Sequence, residues 1–285
     1  MRYALAILFA ALLCGSADAQ VFTDYGKAYR AAAESGQLLC VSVGMNPPPP
    51  HAGHVFCSVP ANYTYYPKRG VGFTLVAPDG SEKLLARGYC VLIDQPGFKE
   101  LLTNPHEFDG QPRGPFDGVK GGGIAIVDPE QGTVVSVLPA RHWTPRNIAA
   151  LFRLPRGTLT QRTLIWALMI RPERPQSVYG TPSVRCMAHA AENNRRQIQR
   201  RECGHFTPHG YLGNSSEIAA FTWPENTGIV DAAIDIVQSW RGSSGHWAAA
   251  MRPCREFGYD MAAGTSDWFG GRPAWYGTGI FVYGN

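Results

Sequence analysis

No stretch of the 285 residues approaches the roughly 20 consecutive apolar residues that a membrane-spanning helix needs. No C-x-x-C occurs, so the paired thiols of dithiol exchange are missing. No G-x-S-x-G occurs either, which removes the nucleophile elbow of a serine hydrolase. Charge is sparse: 17% of residues are charged, below the usual quarter, while 45% are hydrophobic. That balance excludes an intrinsically disordered chain. The net charge of +4 is too small an excess for a nucleic-acid footprint, and no nucleic-acid partner is expected. What the chain does have is turns, with 32 glycines and 22 prolines. Its length suits one or two domains with a sizeable core.

The first residues stand apart from the fold. Arg2 precedes an apolar run from Tyr3 to Cys14, and Ala17-Asp18-Ala19 supplies the small-residue pattern of a cleavage site. This layout predicts a secretory signal over residues 1–19, cut after Ala19, and a secreted or periplasmic product with no transmembrane segment in the mature chain. A lipoprotein anchored through Cys14 is the weaker reading, because Leu13 stands where a lipobox has a small residue. Export permits disulfides. Six cysteines remain (Cys40, Cys57, Cys90, Cys186, Cys203 and Cys254), and their even number favours pairing without choosing the connectivity.

The spacing predicts a helix over 23–35, capped by Thr23 and stopped at Gly36, then a strand over 37–44. Four prolines, Pro47 to Pro50, admit only polyproline II or turn. His51, His54 and Cys57 follow with a spacing that could supply metal ligands, but no fourth ligand is adjacent and an exposed loop is the simpler reading. Hairpins are expected about Pro78-Asp79-Gly80 and about Asp128 to Gly132, and Thr144-Pro145 opens a helix. In this order of elements, residues 20–156 resemble a thioredoxin-like α/β domain. The chemistry of that family is missing: Met45 to Pro50 stand where its redox cysteines belong, and Gly121-Gly122-Gly123 where its cis-proline belongs. The resemblance therefore implies a redox-inactive domain.

Residues 157–182 read as a linker, although Leu164 to Ile170 is too apolar to hang in water and should pack between the two domains. Beyond it, residues 184–203 predict a helix with Met187, Ala191, Asn194 and Ile198 on its buried face. A loop should carry His205, His209 and Glu217. Asn226 should cap a helix ending at Trp240, and Ser244 a short one beginning at His246. Two glycine-rich strands close the chain.

Several of these segments match one pattern. Gly204-His205, then Ser216-Glu217-Ile218-Ala219, then Trp240-Arg241-Gly242-Ser243-Ser244-Gly245-His246 continuing to Met251, then Phe257-Gly258-Tyr259 and Trp275 to Phe281, occur in one order. In that order residues 183–285 resemble a short bacterial CAP (SCP/PR-1-like) domain, an α-β-α sandwich. The expected fold class is thus α/β, in two domains. The resemblance implies a cleft in which His205 (or His209 in its place), Glu217 and His246 gather and can hold a divalent metal such as Zn or Ca. One further acidic place has no clear match; Asp235 is the nearest candidate. The implied function is an exported, non-redox binding or interaction protein for a small ligand or an envelope or extracellular protein. The alternative is a metal-dependent hydrolase working through Glu217 and His246. Ser243 and Ser244 neighbour His246 in sequence, but adjacency is not triad geometry.

Overall fold

The computed structural model describes residues 21–22, 25–36, 38–43, 64–66, 74–76, 82–84, 89–93, 106–108, 111–113, 123–142, 144–151, 153–207, 212–223 and 228–284. The expected signal segment, the proline run, His51, His54, Cys57 and His209 lie outside them.

Helices and sheets are mixed throughout, so the chain is α/β. Strand β1 (Val21–Phe22) leads into helix α1 (Tyr25–Ser35) and strand β2 (Leu39–Val43). Gly36 ends the helix at φ 64, the left-handed backbone that glycine takes without penalty. Short strands β3 (Thr64–Tyr66), β4 (Thr74–Val76) and β5 (Glu82–Leu84) form one antiparallel sheet. Strand β6 (Tyr89–Ile93) follows, then the pair β7 (His106–Phe108) and β8 (Gln111–Arg113). Strands β9 (Gly123–Asp128) and β10 (Thr133–Pro139) make a hairpin. Its turn is built by Asp128, whose carboxylate accepts from the Glu130 and Gln131 amides. The first large sheet runs β1-β6-β2-β9-β10, parallel across its first three strands and antiparallel across the rest.

Helix α2 (Pro145–Leu151) and helix α3 (Leu159–Met169) come next. The second lies inside the span read as a linker. Its start is fixed by a reciprocal cap: Thr158 accepts from the Gln161 amide, and the Gln161 side chain accepts from Thr158. Leu164, Ile165, Trp166, Ala167 and Leu168 are each at most 1% exposed, so five consecutive apolar positions of this helix are buried on every side. Their side chains join one apolar cluster with Val137 and Leu138 of the first sheet and Trp240, Tyr259 and Phe281 further on.

Strand β11 (Thr181–Pro182), helix α4 (Val184–Arg200), strand β12 (Ser215–Thr222), helix α5 (Ile229–Gly242), helix α6 (Ser244–Met251) and the long strands β13 (Glu256–Ser266) and β14 (Arg272–Val282) build the rest. The second large sheet runs β11-β13-β14-β12. Strand parity places a helix on each face. On one face Gly258 lies so close to α4 that a Cβ there would sit 2.2 Å from the Met187 amide nitrogen. On the other, Gly277 makes room for Ile236 of α5, and Trp240 of α5 packs on Tyr259 at 5.9 Å between ring centroids. The layering here is helix, sheet, helix.

Several local expectations are corrected. The cap of α5 is Gly228, not Asn226, which lies outside the described residues. Helix α6 begins at Ser244 itself, with Ser243 at its cap and no side-chain hydrogen bond made there. The buried face of α4 is Cys186, Met187, Ala190, Asn193, Asn194 and Gln197; Ala191 and Ile198 sit at its margin. Cys186, Cys203 and Cys254 carry free thiols. Cys40 and Cys90 are Cα partners across β2 and β6. Among the described residues no helix is long and apolar enough to cross a membrane.

Candidate functional site

Four pieces of chain meet beside strand β12: helix α4, the turn 204–207 after it, β12 and helix α6. The turn is held by the polar face of α4. Asn193 accepts from the Phe206 amide at 2.8 Å and donates to the Gly204 carbonyl at 3.1 Å, while Gln197 accepts from the Gly204 amide at 3.2 Å. Arg196 adds a bond to the Phe206 carbonyl at 2.8 Å, and the Arg200 guanidinium lies 4.4 Å from the Phe206 ring centroid. Asn193 and Gln197 are fully buried and satisfied within this arrangement, so the turn has little freedom.

That anchoring aims His205 and Thr207 at Glu217. The sequence expectation of a loop at Glu217 is corrected here: it stands in β12, opposite Ile280 of β14. Its side chain is 7% exposed. Its Oε1 lies 2.7 Å from His205 Nδ1, and its Oε2 accepts from the Thr207 hydroxyl. His189 of α4 approaches the same Oε2 with Nε2 at 3.9 Å. His246 of α6 faces the His205 ring at 5.8 Å between centroids, tilted by 53°. Burial, followed by the neighbouring His205, pushes the His246 pKa below its ordinary value and keeps that ring neutral at neutral pH. Two imidazoles thus approach one buried carboxyl group, and a third, His246, stands against the ring of His205.

The chain matches no protein-family model, no curated protein and no solved structure.

Of the residues singled out from sequence, His205, Glu217 and His246 converge, and His209 lies outside the described residues. Asp235 does not join them: it is exposed on α5, and burial together with Asp231 raises its pKa. His189 and Thr207 belong to the cluster and were not singled out. The side chains present do not fit a divalent cation. Among the described residues no group of three or more His, Cys, Asp and Glu is placed to hold a metal ion. The reason is visible at Glu217, whose two oxygens are already engaged by His205 and Thr207, while His246 meets a ring and not the carboxyl group. As placed, the described side chains do not form the expected Zn or Ca donor set, and His209, the alternative ligand for it, lies outside the described residues.

What the arrangement offers instead is an oriented imidazole. A carboxylate oxygen at Nδ1 holds the proton there, so in the neutral ring Nε2 keeps its lone pair. The His205 side chain is 37% exposed. Next to it stands the neutral ring of His246.

Proposed function

We propose that this protein is a non-redox binding module whose site is centred on Glu217, and that it takes a small ligand bearing hydroxyl or amino donors. The observation that carries the reading is the 2.7 Å contact between His205 Nδ1 and Glu217 Oε1, which turns His205 Nε2 into an acceptor. A hydroxyl or ammonium group on the ligand would donate to it, with His246 as the second contact. The reading takes residues 183–285 as a CAP-type unit and residues 20–156 as a thioredoxin-like unit without redox cysteines, exported together. Support for the first comes from the layering of α4, the second sheet and α5, and from the order in which Gly204-His205, Glu217 and Trp240 to Met251 reach one place. Helix α3 travels with that unit, since Thr160 donates to Asp260 of β13 at 2.8 Å.

Calorimetric titration of the full chain with ethanolamine and with methyl glucoside tests the reading. Saturable binding of at least one probe is expected. Glu217→Gln and His246→Ala should each weaken it by roughly tenfold or more, the scale of a hydrogen bond to a charged or oriented group. His51→Ala should leave it unchanged. Binding that ignores Glu217→Gln, or no saturable heat from either probe, would overturn the assignment.

A further inference from the structure

A second polar site lies away from Glu217. Where the end of α1, the turn between β9 and β10 and the segment entering α3 meet, the chain encloses a cavity of about 80 Å³. Ala33 and Gly157 line it, and so do four charged residues: Asp128, Glu130, Arg156 and Arg162.

Arg162 is the unusual member, a guanidinium only 4% exposed. Its Nε donates to Ser136 at 2.7 Å, and its Nη1 donates to the carbonyls of Leu154 at 3.3 Å and Pro155 at 2.5 Å. Those partners are neutral, and Nη2 has none among the described residues. Nor is Nη2 among the sealed polar atoms, so it opens on the cavity. Burial lowers the pKa of this guanidinium to about 10, against the opposing pull of Asp128. Asp128 itself is committed to its turn, accepting from the amides of Glu130 and Gln131 and from the Gln131 side chain at 3.0 Å. Glu130 pairs with Arg156 at 3.4 Å, but both side chains are largely in water, where such a pair is worth little and can open.

We propose that this cavity binds a small oxyanion, held from within by Arg162 Nη2 and at its mouth by Arg156. Asp128 acts on Arg162 only through space and makes no ion pair with it. The guanidinium is thus buried without direct pairing, which is costly, and an anion placed against Nη2 would supply that pairing. The unused Nη2 donors suit an oxygen acceptor better than a halide. The volume admits a few water-sized groups, which suits a small oxyanion such as acetate or one phosphate. The site is independent of the reading at Glu217.

The test is thermal unfolding and calorimetry of the full chain with acetate and with inorganic phosphate, at constant ionic strength against chloride. Saturable one-to-one binding of at least one oxyanion is expected, with a rise in melting temperature that follows its concentration. Acetate binding alone assigns a carboxylate ligand, phosphate binding alone a phosphate, and binding of both a general oxyanion site. Arg162→Gln should abolish it. Because Arg162 also ties down Leu154, Pro155 and Ser136, Ala33→Leu provides the second variant: it fills the cavity without touching those bonds. It should weaken binding at least about tenfold, while the ligand-free melting temperature stays put. Chloride matching both oxyanions, or oxyanion binding indifferent to Ala33→Leu, would overturn the proposal.

Discussion

Replacing Asp260 by asparagine should stabilise the protein at neutral pH and do little at pH 4. Asp260 lies on β13 and is 7% exposed. It accepts from Thr160 at 2.8 Å and from Asn194 at 3.4 Å, but burial outweighs these bonds and raises its pKa from 3.8 to about 6. The folded state therefore holds the proton more tightly than the unfolded one. Stability linked to this group is full below about pH 3.8 and is lost as pH rises through about 6. A shift of that size corresponds to about 3 kcal/mol. Asparagine cannot ionise and can still accept from Thr160. The stability difference between Asp260→Asn and the parent should thus grow in the variant's favour between pH 4 and pH 7, on the order of 3 kcal/mol, with its steepest change near pH 5. Denaturant titrations of both proteins across that range would show it. Taking the difference cancels other carboxylates such as Glu192, whose pKa Arg195 and Arg196 lower to about 2. A difference that stays flat with pH would contradict a buried, proton-holding Asp260.

Trp166→Ala should be the most damaging single truncation in helix α3. Its ring is 1% exposed, its Nε1 donates to the Asn147 carbonyl at 2.9 Å, and His142 meets it edge-on at 6.1 Å. The substitution empties a site between α2, α3 and β10 and leaves the Asn147 carbonyl without its donor. Together these effects should cost about 3–5 kcal/mol. Trp166→Phe keeps most of the volume and should recover the larger share of that loss. Chemical denaturation of the pair separates the cavity from the hydrogen bond. A loss under about 1 kcal/mol for Trp166→Ala would mean that α3 does not sit in the core, since surface substitutions stay within such limits.

Elements closed by strong local chemistry were legible. Gly36 ends α1 where its left-handed backbone requires glycine, and Asp128 to Gly132 turns β9 into β10. Residues 164–170 read as too apolar for water; Leu164 to Leu168 are buried, and Met169 and Ile170 pack partly buried against the same core. Strand β12 was not legible. Ser-Ser-Glu-Ile-Ala-Ala-Phe-Thr has little β-branched content and no clean alternation, and it is extended because β14 offers a full ladder from Ser215 to Thr222. Tertiary pairing, not propensity, sets it. His189 was missed for a related reason. Helix α4 has four arginines and reads as a solvated face, yet its buried stripe is polar: Asn193, Asn194 and Gln197 bond Thr278 and the 204–206 turn. Once Cys186, Ala190 and Asn193 define that stripe, His189 falls three residues after Cys186, on its flank. The three cluster members that sequence did single out came from the resemblance to the CAP pattern. Thr207 had no such signal, because only the clamp from α4 gives it a direction.

The account rests on Glu217 fixing the proton of His205 and so creating the acceptor that a ligand would meet. Imidazole ¹⁵N NMR of the full chain, titrated with ethanolamine, measures this most directly. Before titration His205 should carry its proton on Nδ1, and that preference should vanish in Glu217→Gln. During titration the His205 and His246 signals should move together to saturation in the parent and stay still in Glu217→Gln. A His205 that rests with its proton on Nε2 in the parent, or imidazole signals that ethanolamine leaves unmoved, would contradict the account.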